Sequence, residues 1–168
     1  MNFSSYNIDM KKLFDAYLLA KPCLRGWYEW GALCLSGIAG LFVPVARLPL
    51  QPYTTFAGLL LVLAGFAFHV YSERAHREAH QRSSDITRIV DQGMYGKIRH
   101  PLYLSLIVID LGIALAFGVW WTLILAGLFA VFTVLTAQRE EQYLLARFPQ
   151  QYGEYCRRVP WRMVPGLF

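Results

Sequence analysis

The sequence is poor in charge, cysteine and histidine, and each shortage excludes something. Only 16% of its 168 residues are Asp, Glu, Lys or Arg, against 56% hydrophobic. An ordinary soluble domain is about a quarter charged, so a water-surrounded globule is a poor fit. The three cysteines, Cys23, Cys34 and Cys156, are odd in number and lack metal-type spacing, which excludes a disulfide framework and a cysteine-based metal site. Of four histidines, His76 and His80 alone stand four apart, suited to one face of a helix. With His69 they still fall short of a histidine-rich metal box, and no metal is expected. Internal repeats and low-complexity linkers are absent. Residues Met1 to Ala20 hold no long apolar core, so a cleavable signal is not expected.

The apolar residues are gathered in blocks, which points to an all-α membrane protein forming a single domain over residues 1–168. The net charge of +5 could suggest nucleic acid, but its distribution follows the blocks instead. Four basic residues (Lys11, Lys12, Lys21, Arg25) precede the first block, six lie between Arg74 and Arg99, and five follow the last, from Arg139 to Arg162. Arg47 stands alone in the first turn between blocks. The positive-inside rule then puts both termini and the central loop in the cytoplasm of a multi-pass protein.

Residues 1–25 read as an amphipathic surface segment, with Ile8 to Ala20 helical and Pro22 ending it. Two spans are expected within 27–72. The first, Trp27 to Ala46, carries an interfacial belt of Trp27, Tyr28 and Trp30, with Glu29 close enough to its cytoplasmic end to reach water. The second, Tyr53 to Tyr71, should continue as polar helix to Gln81, with Glu73 and Arg77 paired four apart. Residues 102–137 then hold one charge, Asp110, in about 36 positions. A straight helix of that length would reach about 54 Å, beyond a hydrocarbon core of about 30 Å. It must fold back, with Gly118, Trp120 and Trp121 marking the turn. That hairpin makes about four transmembrane helices, with helix continuing past Ala137 until Phe148-Pro149, and a cytoplasmic C-terminal segment folding over that face.

Between the second span and the hairpin lies GMYGKIRHPLY, Gly93 to Tyr103. Pro101 suits the first turn of a helix and biases His100 to an extended conformation. Arg99 and His100 therefore stand at a helix N-terminus, favourable for a carboxylate or phosphate. The hairpin returns Glu140 and Glu141 to the same membrane face. Cations, two carboxylates and tyrosines together suit a zwitterionic nucleoside such as S-adenosylmethionine. The plainer reading is that these side chains only decorate an interface.

Three ordered blocks then carry a resemblance. Gly93-x-Tyr95-x-x-x-Arg99-His100-Pro101-x-Tyr103, Glu140-Glu141-x-x-Leu144, and Phe148-x-x-x-Tyr152-x-x-Tyr155-x-x-x-Val159-Pro160 resemble the isoprenylcysteine carboxyl methyltransferase family. That family belongs to a wider group of small membrane methyltransferases that includes phospholipid N-methyltransferases. The resemblance implies a cofactor-binding half at 83–160 that holds S-adenosylmethionine on the cytosolic side, while a lipophilic acceptor enters from the bilayer. Tyr95, Arg99, His100, Tyr103, Glu140 and Glu141 would contact the cofactor. Arg99 and Glu141 would also serve catalysis, and Arg158 would hold an acceptor carboxylate. The expected activity is isoprenylcysteine-type carboxyl O-methylation or a related lipid or small-molecule methylation at the cytosolic membrane face. An ionised carboxylate or thiolate needs no base, whereas an amine would need Glu140, Glu141 or His100 to take its proton.

The other features have quieter expectations. Asp110, costly at mid-membrane, should make a packing hydrogen bond. The Trp120-Trp121 pair should anchor the outer interface. Arg157, Arg158 and Arg162 could equally meet anionic lipid headgroups, so membrane lipids are expected partners and nucleic acid is not. The rivals are a membrane NADPH-dependent reductase of the sterol-reductase type and a non-catalytic membrane subunit.

Overall fold

The computed structural model describes residues 22–43, 47–75 and 86–167. The expected amphipathic helix, the extension from His76 to Gln81 and the Glu73–Arg77 pair lie wholly or partly outside these residues. Among the described residues there are five α-helices and no strand. They are α1 (Pro22–Phe42), α2 (Tyr53–Ala75), α3 (Pro101–Phe117), α4 (Trp120–Arg147) and α5 (Pro149–Arg158), with a 3₁₀ turn at Gly93–Gly96.

Helix α3 is the centre of the bundle, packed most extensively on α2 and then on α4 and α1. Missing side chains permit the α2–α3 contact. A Cβ on Gly58 would lie 2.4 Å from the Ala116 nitrogen, and one on Gly112 would lie 2.8 Å from the Val62 nitrogen. Small residues bring helix backbones together where lipid supplies no hydrophobic drive for association.

The fold-back comes where expected. Gly118 adopts the left-handed conformation (φ 65°, ψ 36°) after α3, and its N–H reaches the Ala114 carbonyl at 3.2 Å. A residue with a Cβ is strained there. Trp121 Nε1 donates to the Ser36 carbonyl at 3.1 Å, so one of the two expected interfacial tryptophans also ties α4 to α1.

Helices α2 and α4 are long and apolar enough to cross a membrane. Helix α3 is apolar but has 17 residues. Large apolar side chains face outward, including Phe42 at 83%, Leu63 at 68% and Ile124 at 72% exposure. Such a surface in water would be an aggregation site, whereas in a bilayer it is solvated by lipid.

Several local expectations change. Pro22 opens α1, so the helix begins five residues before the expected span and carries Arg25 into the bundle. Arg25 and Glu29 are both 1% exposed and paired at 3.3 Å, so Glu29 does not reach water. Arg25 also donates to Thr133 Oγ1 at 3.0 Å and to Thr136 Oγ1. Asp110 is fully buried beside Trp30 and Glu29, and neither of its carboxylate oxygens completes the expected packing hydrogen bond. Residues 149–158, expected as part of a tail, form α5. Its polar composition concealed it, although Tyr152 and Tyr155 behind Pro149 have helical spacing.

Candidate functional site

Beyond the polar end of the bundle, segment 86–90, the 3₁₀ turn, the start of α3, the end of α4 and α5 enclose a cavity. Its empty volume is about 510 Å³, part of it open to solvent. Its wall combines aliphatic side chains with Tyr95, Tyr103, Tyr152 and Tyr155, and its charged members are Arg88, Arg99 and Glu140 together with His100.

Each wall has a local cause. His100 is the residue before the helix, with Pro101 at N1, as the sequence spacing requires. Arg99 N–H donates to the Trp161 carbonyl at 2.9 Å, and His100 N–H to the Arg162 carbonyl at 2.8 Å. The segment after α5 is thus strapped across the entrance to α3. On α5, Tyr152 and Tyr155 pack with Ile86, Leu144 and Val159. The Tyr155 hydroxyl donates to the Tyr95 carbonyl at 2.8 Å, which fixes the 3₁₀ turn. Burial pushes the Tyr95, Tyr152 and Tyr155 phenols upward, so all three stay neutral at physiological pH.

The two adjacent glutamates have different surroundings. The Tyr103 hydroxyl donates to Glu140 Oε2 at 2.6 Å, and both side chains line the cavity. Glu141 is buried and turned to the protein. Its Oε1 lies 3.1 Å from His100 Nε2 and 3.3 Å from Arg99 Nε, the latter an ion-pair contact without hydrogen-bond alignment. Its Oε2 accepts from Arg162 Nε at 2.9 Å. Arg99 Nη1 donates to Cys156 Sγ and Nη2 to the Pro160 carbonyl, both at 3.1 Å. All three nitrogens of its guanidinium therefore face protein acceptors.

The structure thus gathers Tyr95, Arg99, His100, Tyr103 and Glu140 around one cavity and puts Glu141 behind its wall. Arg158 stands apart: it is exposed and donates to Asp91 Oδ2 at 2.7 Å. His69, considered above as a metal ligand, is buried and 2.8 Å from Ser105 Oγ. Among the described residues no cluster suited to a metal ion occurs. Sequence reading missed Arg88, Arg162, Tyr152 and Tyr155 as parts of the site. Only the tyrosines carried a signal, through their helical spacing and their place in the third block of the resemblance.

The sequence profile of phospholipid methyltransferases matches residues 53–151, more than half of the chain. The chain belongs to the phospholipid methyltransferase family. Together with helices α2 and α4, this makes it an integral membrane protein. The matched stretch carries Tyr95, Arg99, His100, Tyr103, Glu140 and Glu141, and it ends just before Tyr152. The chain is also similar to Delta(14)-sterol reductase TM7SF2 of Mus musculus, 32% identical over 85 residues. That alignment takes in 48% of this chain and 20% of the reductase, so this phospholipid methyltransferase family member spans about one fifth of that relative's length.

Proposed function

We propose that the protein is an S-adenosylmethionine-dependent methyltransferase acting on a lipophilic acceptor at the cytosolic membrane face. In this reading helices α1 to α4 all cross the bilayer, with both termini on the cytoplasmic side. The observation that carries it is the cavity whose charged side chains Arg88, Arg99 and Glu140, together with His100, come from the family-matched segment.

The donor set fits such a cofactor. Glu140 offers a carboxylate to an ammonium or ribose hydroxyls, the neutral tyrosines offer ring faces to a base or sulfonium, and cations lie on the same wall. When bound, the cofactor supplies an electrophilic methyl group on a sulfonium sulfur. The protein's part is to position the reactants and exclude water. Tyr103 holds the Glu140 carboxylate, while Glu141 holds Arg99 and His100 at the mouth of α3. A carboxylate or thiolate acceptor needs no further help. An amine acceptor must release a proton, and Glu140 is the carboxylate on the cavity wall able to take it. Isoprenylcysteine-type carboxyl O-methylation is the narrower form of this proposal. The family match supports membrane methylation more broadly.

The similarity to a sterol reductase favours a second reading, a membrane NADPH-dependent reductase. Calorimetric titration of detergent-purified protein with S-adenosylmethionine, S-adenosylhomocysteine and NADPH separates the two. Micromolar binding of both adenosyl compounds without NADPH supports the methyltransferase. NADPH binding alone transfers the cavity to reductase chemistry, and absence of binding by all three makes a non-catalytic subunit the better account.

A further inference from the structure

Two arginines and a histidine line the cavity, and they are not equally available to a ligand. His100 Nε2 is spent on Glu141 at 3.1 Å. Arg99 directs its three nitrogens at Glu141, Cys156 and the Pro160 carbonyl. Arg88 differs: it lines the same cavity, is exposed, and has no ion pair or hydrogen bond among the described residues. Its segment is nevertheless anchored. Ile86 is 4% exposed and packs with Tyr152, Tyr155 and Leu144, and Ile89 packs against the same cluster. Arg88 is therefore held at the cavity rim between buried Ile86 and partly buried Ile89 while its guanidinium stays open.

We propose that Arg88, and not Arg99, receives the anionic end of the cavity's ligand, with Glu140 on the same cavity receiving a cationic end. Rim arginine and wall glutamate together match an α-amino acid zwitterion, the non-nucleoside end of S-adenosylmethionine. This assignment rests on the methyltransferase reading. The shared chemistry, an arginine-bound oxyanion, would also serve a dinucleotide phosphate. A planar guanidinium grips either anion through paired N–H groups, whereas a lysine keeps the charge and loses the fork.

The test is calorimetric titration of the full chain in detergent with S-adenosylhomocysteine, with 5′-methylthioadenosine, which lacks the amino acid end, and with NADPH. Wild type, Arg88→Ala, Arg88→Lys and Arg157→Ala are compared. Arg157 is an exposed arginine of α5 that does not line the cavity. Arg88→Ala is expected to weaken S-adenosylhomocysteine roughly ten- to one-hundred-fold, the range for a charged hydrogen-bond partner. Arg88→Lys should recover part of that loss, Arg157→Ala should match wild type, and 5′-methylthioadenosine should bind all four proteins alike.

Unchanged S-adenosylhomocysteine affinity in Arg88→Ala, or equal losses for both adenosyl ligands, overturns the assignment. If wild type binds only NADPH, the methyltransferase reading falls while the oxyanion role is judged on that arm. A tenfold or greater loss in Arg88→Ala then supports it, and unchanged affinity overturns it. Wild type that binds none of the three overturns both.

Discussion

Arg162 Nε donates to Glu141 Oε2 at 2.9 Å, tying the segment after α5 to the end of α4. The same carboxylate meets Arg99 and His100 through its other oxygen, so one buried anion organises two arginines and a histidine. Truncating it leaves His100 Nε2 and Arg99 Nε, on side chains 5% and 12% exposed, without their carboxylate, whereas truncating Arg162, at 32%, leaves the carboxylate two partners. Removing one partner of a buried pair costs on the order of 3–5 kcal/mol, with less expected at a partly open site. Glu141→Ala should therefore lower thermal stability in detergent by about 3 kcal/mol and Arg162→Ala by about 1 kcal/mol. The reverse order in melting experiments would remove Glu141 from the centre of the knot.

The neighbouring carboxylate should behave differently. Glu140 faces the cavity and is held by the Tyr103 hydroxyl at 2.6 Å. Glu140→Gln keeps its shape and removes its charge, so S-adenosylhomocysteine affinity should fall roughly tenfold or more while the melting temperature changes little. Tyr103→Phe frees the carboxylate and should produce a smaller loss of the same kind. A Glu140→Gln protein that melts much earlier yet binds normally would mean that the two glutamates have exchanged roles.

How far the sequence announced this arrangement depends on the kind of signal involved. The fold-back at Gly118 was legible because about 36 residues with one charge exceed a bilayer crossing. The entry to α3 was legible because Pro101 constrains two residues at once. Helix α5 was not, since its outer face is Gln, Glu and Arg and only two buried tyrosines mark the inner one. The contrast between Glu140 and Glu141 was equally hidden. Adjacent helical residues point about 100° apart, and which one meets the cavity depends on the rotation of α4 against α3. Arg88 carried no local pattern at all, and its importance arises from the commitments of Arg99.

The α2–α3 contact makes a prediction about glycine. At Gly58 and Gly112 an added methyl meets backbone atoms within 3 Å, and backbone cannot rotate aside. At Gly31 and Gly127 an added methyl meets nothing within 4 Å. Gly58→Ala and Gly112→Ala should each cost about 1–3 kcal/mol through forced separation of the helices. Gly31→Ala and Gly127→Ala should be neutral or stabilising by up to about 1 kcal/mol through helix propensity. Thermal melts of the four variants check this. Equal effects at all four positions would contradict the tight crossing.

The last prediction concerns charge inside the bundle. Arg25 and Glu29 are each 1% exposed, and Arg25 bridges α1 to Thr133 and Thr136 on α4. A guanidinium there has several acceptors, but a lone Glu29 would sit beside Asp110 in an environment from which water is withdrawn. Arg25→Met should therefore be among the most damaging substitutions in the chain, at about 3–5 kcal/mol, although methionine fills much of the same space. Glu29→Leu alone should cost less, because both threonines remain as acceptors for Arg25. The double variant Arg25→Met/Glu29→Leu should recover to within about 1 kcal/mol of wild type, since an apolar pair of similar volume can replace a buried ion pair. Unfolding titrations in mixed micelles measure all four states of this cycle. If the two single losses simply add in the double variant, Arg25 and Glu29 do not interact, and Arg25 serves the α1–α4 contact through Thr133 and Thr136 alone.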